Sequence, residues 1–253
     1  MNLRSYTKLA AIALATASLS ACHIHLDLED GDGDWSYSSG RIKGSGVKST
    51  QSIDIGSFEN LRLNSSADVQ ISLGKSQQIT LTTDDNLLSN VSFTIKGDTL
   101  VISNDKSYRT KLGTKIDIEV PELDTVKVYG SGDIELDGAE HMRDFAARVY
   151  GSGDIALDDI EVSNLELEVN GSGDIVVDGR TKDLRIKVNG SGDIDARSLE
   201  ARNAQARVNG SGDIVLHATE ELNAAVSGSG DIRYKGSPKV SVKDNGSGDV
   251  RSL

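Results

Sequence analysis

Seven aspartates occupy the most regular chemical setting in this sequence. Asp133, Asp154, Asp174, Asp193, Asp213, Asp231 and Asp249 each close a Gly-Ser-Gly-Asp tetrapeptide, and these tetrapeptides begin at Gly130, Gly151, Gly171, Gly190, Gly210, Gly228 and Gly246. Carboxylates repeated at one position of a folded unit can cap backbone N–H groups within turns, or they can gather cations. Stacked unit upon unit, neighbouring carboxylates would lie ~5 Å apart and repel by on the order of 1 kcal/mol per pair in water. Each must therefore be compensated by turn N–H donors, by serine hydroxyls or by cations. A structural turn ladder is the expectation, with a weak cation site as the alternative. No cofactor is expected.

A second chemistry belongs to Cys22, the chain's one cysteine. With a single thiol no intramolecular disulfide can form. Residues 1–21 have the pattern of a signal peptide: Arg4 and Lys8 at the start, a short apolar stretch from Leu9, then small residues up to a cleavage point at Ala21. The apolar run is shorter than the ~20 residues a permanent membrane helix needs. Leu19-Ser20-Ala21-Cys22 resembles the bacterial lipobox, which implies acyl chains on the thiol and amine of Cys22. Each buried methylene adds ~0.8 kcal/mol to such an anchor. An ordinary cleaved signal with a coincidental cysteine is the alternative. His23 follows where inner-membrane lipoproteins carry Asp, so the resemblance points to the outer membrane, on its periplasmic face or at the surface.

Other reactive residues assemble less well. Asp30-Gly31-Asp32-Gly33-Asp34 begins like a calcium loop, but Trp35 stands where Gly is needed and Arg41 where Glu is needed. Residues 22–50 therefore read as a flexible, acidic, Gly/Ser-rich tether. His23 and His25 alone do not make a metal site. Arg143 with Asp144, or His217 with Glu220 and Glu221, could be gathered into a catalytic site, yet each is more simply a solvated loop. A nucleophile elbow, a zinc motif and a phosphate loop are all missing from the sequence, so no enzymatic activity is expected.

The elements that position the ladder follow from the spacing of the tetrapeptides. The intervals are 21, 20, 19, 20, 18 and 18 residues, which implies a solenoid. Before each turn, apolar residues alternate with polar ones. Val128, Val149, Val169, Val188, Val208 and Val226 form one column, with Asp244 in the last place. Val126, Ala147, Leu167, Ile186, Ala206, Ala224 and Val242 form another. After the turn come Ile134, Ile155, Ile175, Ile194, Ile214, Ile232 and Val250. A period of two marks strands with one buried face. Each unit is thus strand, glycine turn, strand and return loop. The glycines would supply special backbone angles and close approach. At ~4.8 Å per coil, the six intervals span roughly 29 Å.

Rival repeats fit less well. A dinucleotide site uses one Gly-x-Gly-x-x-Gly, whereas here the third Gly is missing and the motif recurs. Calcium-binding nonapeptides have a much shorter period. The leucine-rich repeat matches Val162, Leu165, Leu167 and Asn170, but it needs an apolar residue where Ser172 stands, and it leaves no place for the second strand.

Residues 51–128 lack the repeat turn but keep strand patterns, with Ser65-Ser66-Ala67-Asp68 as a degenerate turn. They read as irregular first coils and a cap, with a separate small β-domain as the alternative. In order along this half stand Phe58-x-x-Leu61-x-Leu63, Asp68-Val69-x-Ile71-x-x-Gly74, Asp85-Asn86-Leu87-Leu88, Leu100-x-Ile102, Val120-Pro121-x-Leu123 and Gly130-Ser131-Gly132-Asp133. Over about residues 50–250 this series resembles the auto-transporter adhesin head family known as the GIN domain. The resemblance implies an all-β, parallel β-helix fold on a secreted or lipid-anchored bacterial protein, and it carries over no catalytic residue. The expected organisation is signal peptide 1–21, tether 22–50 and β-helix domain 51–253, with 129–253 holding the repeats in coils of about 20 residues.

The formal charge is −12, and removal of residues 1–21, which hold two bases and no acid, takes it to −14. Such a chain repels phosphate backbones, which argues against nucleic acid as a partner. Basic peptides, cations and neutral glycans remain. The leading expectation is a lipid-anchored cell-envelope protein that acts as an adhesin-like binding module for a glycan or surface protein. One alternative is a self-assembling envelope protein, since a solenoid end exposes strand edges that Pro238, Lys239 and Lys243 would protect. Another is a polysaccharide-active enzyme. Tyr129, Tyr150 and Tyr234 are the candidate aromatics for a glycan site, and the first two should stack on the outer face.

Overall fold

Alternating β-branched and polar residues drive the chain into strands, and the glycine turns wind those strands into coils. The structure, a computed structural model, describes residues 40–138 and 140–253. Ala21, Cys22, His23, His25 and Asp30 to Asp34 lie outside the described residues. Ser39–Leu253 forms one unit. It is an all-β parallel solenoid, as the repeat implies. Register follows the sequence columns: Phe145 pairs with Leu165, Leu165 with Leu184, Leu184 with Ala204, Ala204 with Leu222, and Leu222 with Val240. Inward residues of successive coils fuse into one apolar core that runs from Phe58 to Ile232.

The expected return loop is absent from four of the coils. Ile155–Val169, Ile175–Val188, Ile194–Val208 and Ile214–Val226 run as continuous bent strands from one turn to the next. The bend is absorbed by register shifts, as between Leu157 and Ile160, and by left-handed residues such as Asp159 (φ 54°) and Gly179 (φ 112°). Remaining in strand conformation lets the backbone stay paired with the coils above and below, where a buried loop would leave polar groups unpaired.

The N-terminal half is continuous with the solenoid, but its stacking order differs from its sequence order. The coil formed by Asn60–Asn64 and Asp68–Leu73 pairs on one side with Thr125–Val128 and Ile134–Asp137. On its other side it pairs with Thr99–Asn104 and Lys115–Val120, which follow it in sequence yet lie further out. Antiparallel strands close this end: Val91–Lys96 on Thr99–Asn104, Gln78–Asp84 on Lys115–Val120, and Lys48–Ser52 on Gln78–Asp84. Ser65-Ser66-Ala67-Asp68 is a true coil turn, because Gly130 packs on the Ser65 carbonyl and Gly132 on that of Ala67.

The tether expected over 22–50 ends earlier than that boundary. Ile42–Lys43 pairs with Tyr108–Arg109, and Lys48–Ser52 is already a cap strand. The buried Asp84 carboxylate holds this segment. It accepts hydrogen bonds from the Gly46 N–H (2.5 Å) and the Thr110 hydroxyl. These contacts hold its carboxyl below the ordinary aspartate range, the Thr110 bond most strongly. At the other end, Lys239–Asp244 pairs with Glu221–Val226. Val242 there is 51% exposed.

Candidate binding surface

The turn ladder is built by backbone proximity. The glycines of the Gly-Ser-Gly-Asp turns are not left-handed, contrary to the expectation of special angles. They are required because coils touch: a Cβ on Gly171 would lie 2.0 Å from the Gly151 carbonyl oxygen. Six of the seven aspartates accept a hydrogen bond from the next coil rather than from their own turn, and Asp249 ends the series as a donor. The N–H of Asp154 donates to Asp133 Oδ1 (2.8 Å), that of Asp174 to Asp154 (2.7 Å), that of Asp193 to Asp174 (2.7 Å) and that of Asp213 to Asp193 (2.7 Å). Asp231 and Asp249 continue the series at 2.8 and 2.9 Å, and Asp68 joins it below Asp133 at 3.4 Å. Arg233 and Arg251 additionally reach the second oxygens of Asp213 and Asp231. The turn serines project to solvent, and their hydroxyls make no hydrogen bond among the described residues, so they do not share in the capping. No cluster of three or more metal-ligating side chains forms among the described residues.

In the earlier repeat coils the outer surface of the post-turn limb is acidic beside this ladder. Asp158 has its carboxyl raised above the ordinary range by burial and then by the neighbouring charges of Asp178, Glu135 and Asp137. The residues that could have been gathered into a catalytic site are dispersed. Arg143 and Asp144 are exposed and 3.9 Å apart. His217 stands in register with Glu200 and Lys235, while Glu221 pairs with Asn203 and Lys239 on the other limb.

The pre-turn limb presents a different surface. One outward column reads Arg62, Lys127, Arg148, Glu168, Lys187, Arg207, Ala225, Lys243, each in register with the next. Six bases face one acid there. Sequence reading passed over this column because it tracked the buried positions. Its signal is the residue three before each turn glycine. On its turn side runs an uncharged column. Tyr129 and Tyr150 stack there with ring centroids 4.6 Å apart and an interplanar angle of 14°. Arg62 lies over Tyr129, 4.1 Å from the ring centre. The rings therefore face each other and Arg62, not an open platform. Burial and then the Glu168 charge push the Tyr150 phenol above its ordinary range. Beyond it, Asn189 Nδ2 donates to Asn170 Oδ1 (2.6 Å) and Asn209 Nδ2 to Asn189 Oδ1 (2.8 Å). Tyr234 lies elsewhere, packed half-buried against the core.

On the far side of the basic column a groove of about 1180 Å³ crosses the coils, lined by Asp144, Asn164, Asp183, Asn203, Arg185 and Gln205 among others. Two of its carboxylates are engaged by amides: Asn164 donates to Asp144 (2.6 Å) and Asn203 to Asp183 (2.9 Å). The surface as a whole offers cations, phenols and amides in parallel rows, which suits recognition of an extended polar ligand.

The family described as "putative auto-transporter adhesin, head GIN domain" matches residues 57–238. A protein from Bacteroides fragilis named as a putative adhesin has a similar structure, with a TM-score of 0.76 and 25% identity over 84% of this chain and 100% of that one. A protein from Parabacteroides distasonis named as a putative lipid binding protein gives 0.71 and 28% over 84% and 99%. A putative adhesin from Parabacteroides merdae shares the fold at 0.66 and 23%, over 84% and 99%. No curated protein matches the chain.

Proposed function

The chain belongs to the auto-transporter adhesin head, or GIN domain, family, and we propose that it is a lipid-anchored, non-catalytic binding module of the bacterial envelope. In this reading residues 1–21 are removed after Ala21, and Cys22 carries the acyl chains. The following segment, up to the first strand, tethers the solenoid to the outer membrane. The observation that carries the binding role is the pre-turn face, where polar side chains stand in register over successive coils beside an open groove. Such a face suits contact with an extended surface molecule better than chemistry on a small one. The test is whole-cell adherence to a surface coated with envelope or host polysaccharide. Cells producing the full chain adhere, and the protein partitions with detergent. Cells producing Cys22→Ser release it and lose adherence at equal expression. Adherence that survives release, or hydrolysis of any coated polysaccharide by the pure protein, refutes the reading.

A second reading is self-association in the envelope. It is favoured by the strand Lys239–Asp244, which is hydrogen-bonded to Glu221–Val226 and leaves Val242 half-exposed. Unpaired strand edges invite pairing. Sedimentation of the full lipoprotein that stays monomeric at high concentration removes it.

A further inference from the structure

We propose that the basic column of the pre-turn face docks a linear anionic polysaccharide lying along the solenoid axis. The proposal rests on the binding role above and names its ligand class. Arg62, Lys127, Arg148, Lys187, Arg207 and Lys243 occupy one column over eight coils. At ~4.8 Å per coil the column is about 34 Å long. Only its middle is neutralised: Arg148 meets Glu166 (3.1 Å) and Glu168 (3.6 Å), and Lys187 meets Glu168 (3.3 Å). Lys127, Arg207 and Lys243 meet no carboxylate among the described residues. An acidic protein that aligns unpaired cations in one row has a local field opposite to its net charge. That field governs contact within a Debye length, about 8 Å at physiological ionic strength.

The surroundings of the row select the polymer. On the turn side stand phenols and amides, Tyr129, Tyr150, Asn170 and Asn209 among them, which can exchange hydrogen bonds with hydroxyls. On the other side, Gln205 and Asn203 offer more amide groups at the groove. The coil repeat is close to the length of one extended sugar ring, so a chain of acidic sugars can stay in step with the coils and reach Lys127, Arg207 and Lys243. The row is one side chain wide, and acids flank it on both sides: the aspartate ladder past the turn, and Glu166, Asp144 and Asp183 toward the groove. A flat anionic membrane would press against those flanking acids, whereas a single chain would not. Single-stranded nucleic acid needs open ring faces for its bases, and Tyr129 spends its own on Tyr150 and Arg62.

The test uses the full lipoprotein in detergent micelles with polygalacturonate as the probe. Dextran is the neutral control, and poly-dT and phosphatidylglycerol vesicles are the phosphate-bearing controls. Polygalacturonate is expected to bind and to be released by salt, with dextran inert. Lys127→Glu with Arg207→Glu should weaken binding at least about tenfold, because each charge reversed loses one exposed pair and gains one repulsion. Lys115→Glu with Lys235→Glu changes net charge equally, on strands of the post-turn limb, and should weaken it less than about twofold. The neutral pair Lys127→Gln with Arg207→Gln gives the intermediate result if either reversed variant fails to fold. Equal loss in both reversed pairs, or tighter stripe-dependent binding of poly-dT or vesicles, overturns the proposal. If cells carrying the stripe variants still adhere in full, the ligand assignment fails while the adhesin-like role stands.

Discussion

Gly171→Ala tests whether coil-to-coil contact, rather than backbone angle, explains the turn glycines. The added Cβ would sit 2.0 Å from the Gly151 carbonyl oxygen and 2.8 Å from the Tyr150 carbonyl carbon. Reaching an ordinary contact of 3.4 Å requires the two coils to part locally by about 1.4 Å. Among the hydrogen bonds that cross that junction are Ser172 N–H to the Gly151 carbonyl (3.0 Å), Gly171 N–H to the Val149 carbonyl (3.3 Å) and Asp174 N–H to the Asp154 carboxylate (2.7 Å). At about 1 kcal/mol net each, their weakening costs about 3 kcal/mol, which is also the upper range for overpacking. For a domain of this size that lowers the melting temperature by roughly 6–12 °C. The comparison is Gly56→Ala, where a Cβ meets nothing within 4 Å. Reducing backbone freedom there should leave stability unchanged or raise it by up to about 1 kcal/mol. Melting of both variants, followed by far-UV circular dichroism, reads the difference. If Gly171→Ala melts within about 2 °C of Gly56→Ala, the close-packing account of the repeat is wrong.

Removing one ladder acceptor should separate capping from charge. Asp174→Ala strands the Asp193 N–H and costs about 1–3 kcal/mol. Asp174→Asn keeps an acceptor and relieves repulsion from Asp154 and Asp193, so urea midpoints should place it within about 1 kcal/mol of wild type. Calcium or a chelator should leave the wild-type melting temperature unchanged if the N–H donors alone compensate the ladder. The carboxyl of Asp84 is depressed, so its stabilisation is present above the ordinary aspartate value and is lost as pH falls through its lower folded value. Hydrogen exchange of Lys48–Ser52 should accelerate below that range in wild type, and already at neutral pH in Asp84→Asn. Asp158 has the opposite sign. Its raised carboxyl favours the folded state below the ordinary value, and that contribution is lost as pH rises through its folded value. Asp158→Asn should raise the melting temperature by about 1–2 °C at pH 7 and not at pH 3.

The buried half of this structure was legible because strand burial has a period of two. Val149, Val169 and Val188 could be placed in one column before any coordinates, and they pair in register. The bends were not legible. Asp158-Asp159 and Asp178-Gly179 have loop composition, yet their backbones stay in the sheet, because only there can neighbouring coils satisfy them. Serine in the turn was expected to cap, but its side chain points to solvent. The order of the first coils was hidden for another reason: Leu61 with Leu63 and Leu100 with Ile102 carry the same alternation. Only pairing shows that the later pair lies further out.

The site was least legible because the repeat constrains the inside and the outside of each coil differently. An inward position must be apolar, and a turn position must be glycine or the capping aspartate, so these columns look alike from coil to coil. An outward position is constrained only by its neighbours above and below, and it can carry Arg148, Glu168, Lys187 or Ala225 at no cost to the core. Recognition by a solenoid therefore resides in what varies along its outer columns. The conspicuous Gly-Ser-Gly-Asp motif builds the spacing, and the residue three before it decides what that spacing can hold. Summed charge conceals this, because it adds the acids of every face, the turn aspartates among them, to the bases of this one row. A net charge of −12 thus argues against polyanions only while the chain is treated as a uniform body. Once the coils gather unpaired bases into one row of the pre-turn limb, that row selects a partner that the net charge does not predict.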